Sequence, residues 1–274
     1  MLAPFPPDSA LDQTACAART EFVSLAAAYG DDLPLDQAFA WLCAEERGEA
    51  KIDGLISTLD EIAAGIFLPD DIDDIEAVAR INHHLFETLG FSGARDNYDD
   101  PEHSLLDTLL TTKKGLPISL SILYMEVARR KGLSIRGISF PTHFVVSPAE
   151  STPRFFLDPF NKGQILRHAH MDTWFRRIHE KSDGRLPPLS WWLKPVNHRQ
   201  ILVRVNNNLK ASHMRRNDLS AALRCVERLL ILTPDALDLR RDRGLLRLEL
   251  GLEEEGAKDL DAYLAARHER PLTD

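Results

Sequence analysis

Cysteines are few in this sequence, and long hydrophobic runs are absent. The 274 residues include only Cys16, Cys43 and Cys225, and no run of about 18 apolar residues that would span a bilayer. Three widely spaced cysteines form neither a metal-binding spacing nor a disulfide framework, which favours a reducing compartment. The first residues lack a basic segment followed by an apolar stretch, so no signal peptide is expected. We therefore predict a cytoplasmic protein that does not bind membranes.

Cofactor and metal motifs are also missing. No glycine-rich Walker or dinucleotide-binding motif is present. His83 and His84 are neighbours on a predicted helix and do not face one site. The acidic run 70–74 lacks the glycine turn and the distal glutamate of a calcium-binding loop. We expect no cofactor and no metal.

Charge is distributed unevenly along the chain. The net charge of −9 divides into −16 for residues 1–100, +6 for residues 101–198 and +1 for residues 199–274. Opposite signs predict that the first and middle thirds attract each other within the molecule. Nucleic-acid binding is not expected, because the basic residues are scattered and the whole molecule would repel phosphate.

The same boundaries divide the predicted elements into three domains, 1–100, 101–198 and 199–274. After a proline-rich, loosely ordered start at residues 1–8, the first part is helical, with apolar residues at helical spacing over 52–68 and a second helix over 72–89. The middle part predicts a helix over 118–131 that begins at Pro117 and is apolar on nearly all sides, as buried helices are.

Strands and a crossing loop follow this helix. Three short strands are predicted at 135–140, 143–147 and 154–157, then a helix near 171–181. His168 and His170 show the alternation of a strand face, and residues 186–195 are predicted to form a proline- and tryptophan-rich loop.

The last third contains an internal repeat. Two segments align at a shift of 34 residues, which pairs the turn at Asn217 with that at Gly251 and the small residue Ala222 with Gly256. A 34-residue helix-turn-helix period is typical of tetratricopeptide repeats. Asn206, within a run of three asparagines, is predicted to open the first repeat helix, where asparagines suit a peptide backbone. Two ordinary amphipathic hairpins remain an alternative.

One pair of residues in the middle part has the chemistry of an acyl-transfer site. His143 and Asp158 lie 15 residues apart on predicted neighbouring antiparallel strands, so Asp158 is placed to orient the imidazole. The N-terminus of the 118–131 helix would lower the pKa of a nucleophile or stabilise an oxyanion. A packed structural histidine is the alternative.

Four motifs occur in order between Gly115 and Phe160: G-L-P-I-S-L-S-I-L-Y, V-A-R-R-K-G-L, F-P-T-H-F and D-P-F. With these motifs in this order, the chain resembles the SirB-type transglutaminase-like family. The resemblance implies an α+β, predominantly helical fold: a helical N-terminal region, a transglutaminase- or papain-like core with a small antiparallel sheet, and C-terminal tetratricopeptide-like hairpins. It also implies a Cys-His-Asp site in which His143 and Asp158 match the last two members. Thr142 stands where the family pattern has glycine.

The nucleophile implied by the family is missing. Its position falls at Ile118 or Ser119, and no cysteine is present in the segment. One hypothesis is a serine-dependent hydrolase or acyltransferase that uses Ser119 or Ser121 with His143 and Asp158. The preferred hypothesis is a pseudoenzyme, a regulatory or interaction protein that binds a protein or peptide partner through its C-terminal repeats.

Overall fold

The computed structural model describes residues 10–49, 51–182 and 186–269, so the proline-rich residues 1–8 lie outside the described part. The N-terminal region is helical, as predicted, and consists of α1 (Ala10–Tyr29), α2 (Leu35–Arg47), α3 (Ile52–Ala64) and α4 (Asp74–Asn82). Asp73 caps α4 by accepting from the N–H groups of Ile75 and Glu76, each at 2.9 Å. A π-helical turn, His83–Thr88, continues α4.

The core is built on α6 (Pro117–Arg130), which follows a two-stranded parallel pair, β1 (Ser92–Gly93) and β2 (Lys114–Gly115), and a short α5 (Leu106–Thr112). Pro117 occupies the first turn of α6, and every residue of the helix before Arg129 is buried. A proline there removes only an N–H that the first turn leaves without an intrahelical partner. The predicted buried helix is confirmed.

An antiparallel five-stranded sheet packs against α6, with the strand order β6-β5-β4-β3-β7. Its strands are β3 (Ile135–Ile138), β4 (Val145–Pro148), β5 (Phe156–Asp158), β6 (Gln164–Leu166) and β7 (Pro195–Val196). Val146 pairs with Leu157, so β4 and β5 are neighbours as predicted.

Two sequence-based assignments in this region were wrong. His168 and His170 lie in the first turn of α7 (His168–Lys181) rather than on a strand, and a ring nitrogen of His170 accepts from the Arg167 N–H at 3.0 Å. Two residues are too few to separate a strand alternation from a helix start. The expected loop at 186–195 contains α8 (Leu189–Trp192) and the first residue of β7.

The C-terminal part consists of two helical hairpins, α9 (His198–Arg215) with α10 (Leu219–Leu232), and α11 (Leu237–Glu249) with α12 (Glu253–Glu269). Asn217 and Gly251 both have positive φ, 58° and 77°, at the turns that the 34-residue shift aligned. Asn206 does not open a helix, because α9 begins eight residues earlier behind an Asn197 cap.

The parts share buried contacts. The largest apolar cluster extends from Phe22 of α1 through α6 to Leu232 of α10. Arg130 of α6 pairs with Asp36 at 2.7 Å and with Asp60 at 2.6 Å, which are ion pairs between the acidic first third and the basic middle third. The predicted attraction between these thirds is therefore visible in the structure. No helix in the described residues has the length and apolar character needed to cross a membrane.

Candidate functional site

His143 lies in a turn that leads into β4. Its N–H donates to the Phe140 carbonyl at 3.1 Å, and Thr142 before it adopts a left-handed conformation with φ of 62°. This turn explains why the predicted strand begins only at Val145. A β-branched residue is strained at positive φ, whereas glycine is not. The glycine that the family resemblance leads us to expect at this position would adopt this conformation without strain, whereas Thr142 does not.

Asp158 ends β5 and holds the imidazole of His143. The distance from His143 Nε2 to Asp158 Oδ1 is 2.9 Å, and both side chains are buried. Asn161 donates to the carboxylate through its side chain, at 2.7 Å to Oδ2, and through its backbone N–H, at 3.2 Å to Oδ1. Burial alone would raise the pKa of Asp158, but the bonds and charge from His143 and the bonds from Asn161 outweigh it and lower that pKa. An ionised Asp158 fixes the proton on Nε2 and leaves Nδ1 for another partner.

Aromatic rings keep the imidazole in place. The Trp174 ring centroid lies 4.7 Å from that of His143, and Phe160 meets it edge-on at 5.7 Å. Arg95 stacks on the ring of Phe160, with its guanidinium carbon 5.1 Å from the ring centroid. His143 is thus oriented by a carboxylate and by packing, which is the support that a general base requires.

A pocket of about 260 Å³ opens beside His143. It lies between the start of α6, the His143 turn and one side of α9, and its lining comprises Tyr98, Asp99, Leu116, Pro117, Ile118, Thr142, His143, Phe144, Arg204, Asn208, Ala211, Ser212 and Arg215. No cysteine is among these residues. The pocket is the place where the core and the first repeat helix meet.

Ile118 is part of the pocket wall, and the family resemblance implies a nucleophile at or next to its position. Of the positions that the sequence made candidates, Ile118 lines the pocket together with His143, and its side chain is 1% exposed. No side chain caps the N-terminus of α6, and the N–H groups of Ile118 and Ser119 have no hydrogen-bond partner among the described residues. A free helix N-terminus favours negative charge. The pocket therefore combines a helix N-terminus and His143 with an isoleucine at the position where the family resemblance implies a nucleophile.

The two predicted serines are turned to other partners. The Ser119 hydroxyl lies 2.8 Å from the His103 carbonyl and 3.1 Å from that of Leu116, and Ser121 lies 3.4 Å from the Phe144 carbonyl. Both serines are fully buried, and neither lines the pocket. Successive helical residues point about 100° apart, so Ile118 and Ser119 do not share a face. The described hydrogen bonds of the Ser119 hydroxyl do not include His143, so a catalytic role for Ser119 stays a prediction.

Arg204 is the residue in the pocket that sequence reasoning missed. It projects from α9, and Nη1 donates to Ser139 Oγ at 3.0 Å. Burial lowers the pKa of Arg204, which only the weak influence of Tyr98 opposes. No local pattern marks it, because its helix lies more than 40 residues beyond Asp158. Asn161 had a signal that was not used, since an asparagine three residues after an aspartate at a turn is well placed to bond its carboxylate.

A second polar cluster contains metal-binding residue types. Glu46, His213 and Cys225 offer ligand atoms within 4.8 Å of one another. The fully buried Arg228 lies among them, bonded to Glu46 and 3.2 Å from Cys225 Sγ. Burial raises the pKa of Cys225 to about 12. A guanidinium already neutralises the carboxylate, so the arrangement fits a buried ion-pair network better than a metal site.

Comparisons with known families identify the core and the repeats. The family model described as transglutaminase-like superfamily matches residues 48–207, which is more than half of the sequence. The chain belongs to the transglutaminase-like superfamily. A tetratricopeptide repeat model matches residues 209–274 directly after it. The transglutaminase-like core and the repeats predicted from sequence are both confirmed.

Bacterial relatives narrow the family further. The chain is 36% identical to a UPF0162 protein of Xylella fastidiosa strain 9a5c, over 72% of each chain. It is 25% identical to protein SirB1 of Salmonella typhimurium over 68% of each chain, which confirms the SirB-type resemblance. Among solved structures, menin aligns with a TM-score of 0.44 at 10% identity, over 93% of this chain and 69% of menin.

Proposed function

We propose that this protein acts by binding: a transglutaminase-like core without a nucleophile is joined to tetratricopeptide repeats that contact a protein partner. The proposal rests on the identity of residue 118, which is an isoleucine. A thiol at that position would lie at the start of a buried helix and beside a histidine held by Asp158, yet a buried hydrocarbon side chain fills it. Isoleucine has no nucleophilic atom, so a covalent acyl intermediate cannot form there.

No other cysteine of the chain supplies the missing thiol. Cys43 is buried between α2 and α5, where the Leu106 N–H lies 3.2 Å from its sulfur. Cys225 contacts Arg228, and Cys16 is exposed on α1. All three are free thiols outside the pocket, which also supports the predicted cytoplasmic location.

The repeats supply a surface for a partner. Large apolar side chains are exposed on three of their helices: Met214 on α9, Leu245 and Leu248 on α11, and Leu264 on α12. Exposed apolar side chains on helical repeats favour contact with another protein.

A labelling experiment tests the absence of catalysis. The wild-type protein, treated with a fluorophosphonate probe and with iodoacetamide, is expected to show no modification at Ser119 or Ser121 by peptide mass mapping. The matched comparison is His143→Ala. A label on Ser119 that disappears in His143→Ala would overturn the proposal in favour of a serine-dependent hydrolase.

A binding experiment tests the repeats. Partners captured from cells that contain the protein are purified and titrated against it by calorimetry. We expect one partner to bind with defined stoichiometry and to lose affinity at least tenfold with Leu245→Asp. The control is Glu254→Ala, because Glu254 is an exposed residue of α12 that pairs with Lys258, one helical turn away on the same helix. Equal binding by all three proteins would refute a role for this apolar surface.

A further inference from the structure

We propose that the pocket beside His143 binds a carboxylate group, with Arg204 as its anchor. The inference rests on the proposed function, since a pocket without a nucleophile is left to hold a ligand rather than to react with it. It names the chemical class of that ligand and the residue that selects it.

The charge of Arg204 is not balanced by the protein. Among the described residues its side chain makes no ion pair, and its guanidinium donates one hydrogen bond, from Nη1 to Ser139 Oγ at 3.0 Å. Its Nε and Nη2 groups have no hydrogen-bond partner in the part of the chain that the structure describes, and Arg204 lines the pocket. A guanidinium donates two parallel hydrogen bonds to a carboxylate, and this geometry is what its free donors offer.

The other pocket arginine shows the contrast. Arg215 is paired with Asp99 at 2.7 Å, so those two charges cancel. Asp158 is covered by His143 and satisfied by Asn161. Arg204 is therefore the arginine of the lining without an ion-pair partner among the described residues, and its single charge matches a monovalent carboxylate better than a doubly charged phosphate.

A further feature points to an anion at the same place. α6 begins at the pocket, where Leu116, Pro117 and Ile118 contribute to the lining, so the positive end of its dipole lies there. Phe144 and Ala211 form an apolar part of a lining that also contains the polar Thr142, Asn208 and Ser212, so the acid should carry a small apolar group that packs on Phe144 and Ala211.

The volume limits the ligand. About 260 Å³ is slightly below the range of roughly 300–1,000 Å³ typical of small-molecule sites. The pocket therefore holds one amino-acid-sized acid, either free or as the last residue of a peptide. These two sources share the same carboxylate chemistry, and different probes separate them.

The experiment is a calorimetric and NMR titration of the full chain with N-acetyl-leucine, N-acetyl-leucine amide, acetyl-Ala-Ala-Leu with a free or amidated end, and inorganic phosphate. We expect the acids to bind and the amides not to bind. Arg204→Met should weaken acid binding about 10- to 100-fold, as expected for loss of a charged hydrogen-bond pair. Arg154→Met is the matched control, because Arg154 is an exposed, ion-paired arginine outside the pocket lining, and it should change acid binding less than threefold. Tighter binding of the tripeptide acid than of N-acetyl-leucine would identify a chain terminus as the ligand, and equal binding would identify a free acid.

Thermal unfolding separates ligand binding from a structural role. An arginine kept for folding would destabilise the protein when replaced, whereas an unpaired, half-buried guanidinium should leave Arg204→Met at least as stable as wild type. Failure of both acids to bind at millimolar concentration, equal binding of acid and amide, or tighter Arg204-dependent binding of phosphate would overturn the inference. These outcomes are independent of the labelling result, because probe reactivity at Ser119 does not depend on acid binding.

Discussion

Replacing Ile118 with cysteine would test whether the site still activates a thiol. The variant is made in a Cys16→Ser background, because Cys16 is exposed, whereas burial raises the pKa of both Cys43 and Cys225 to about 12 and makes them unreactive. The new sulfur would lie at the start of α6 in the pocket lined by His143. Ile118 is buried, and truncating it should cost about 1–2 kcal/mol of stability.

The size of the effect follows from thiol ionisation. An ordinary cysteine with a pKa of about 8.5 is about 1% ionised at pH 6.5. Helix N-termini and neighbouring histidines lower cysteine pKa values to about 3.5–7.5, so a pKa of about 6.5 would ionise about half of the thiol. Lower basicity reduces the nucleophilicity of each thiolate about six- to tenfold over this interval. Iodoacetamide should therefore modify Ile118→Cys about five to eight times faster than an ordinary thiol at pH 6.5.

The assay is the alkylation rate between pH 5 and pH 9, followed by mass spectrometry. The expected profile for Ile118→Cys has its midpoint near pH 6.5, and adding His143→Ala should return it toward about 8.5. Ser119→Cys is the matched control, because its side chain is turned toward the His103 carbonyl. A midpoint near 8.5 in Ile118→Cys, or no change on adding His143→Ala, would refute the view that the site has lost only its nucleophile.

Three further predictions concern stability measured by urea unfolding. Arg228→Ala should cost about 3–5 kcal/mol, because it removes the fully buried cation that Glu45 and Glu46 share. Burial opposes the ionisation of Glu46, but Arg228 holds the pKa of Glu46 well below the usual range. The wild type should therefore lose stability as pH falls below about 4.3, and Arg228→Ala should lose less over the same range. Parallel pH profiles of the two proteins would contradict this. Thr142→Gly should stabilise by about 1 kcal/mol by relieving the positive φ, and a loss of stability would contradict the strain argument. Gly256→Ala should destabilise by about 1–3 kcal/mol despite the helix preference for alanine, since its new Cβ would lie 2.8 Å from Leu248 and 3.0 Å from the Gly244 carbonyl, and a gain in stability would contradict this.

Local patterns in the sequence were sufficient to predict several of its helices and turns. Apolar spacing marked α3 and α6, Pro117 marked the start of α6, and the 34-residue shift aligned the turns at Asn217 and Gly251. These features depend on short-range periodicity and backbone conformation, which the sequence contains explicitly. The antiparallel pairing of β4 and β5 was also predictable, because a short connection between strands leaves an antiparallel pair as the simplest arrangement. The position of His143 was not, because it lies in the turn before β4 rather than on the predicted strand.

The sequence by itself determined the SirB-type core, the His143–Asp158 pair and the absence of a cysteine from that segment. Only the tertiary structure decided that Ile118 faces the pocket, that Ser119 is bonded to the His103 carbonyl, and that Arg204 enters from α9. Those facts depend on the rotation of α6 about its axis and on contacts between residues far apart in the chain. Both are fixed by packing across the whole core, which no local pattern records.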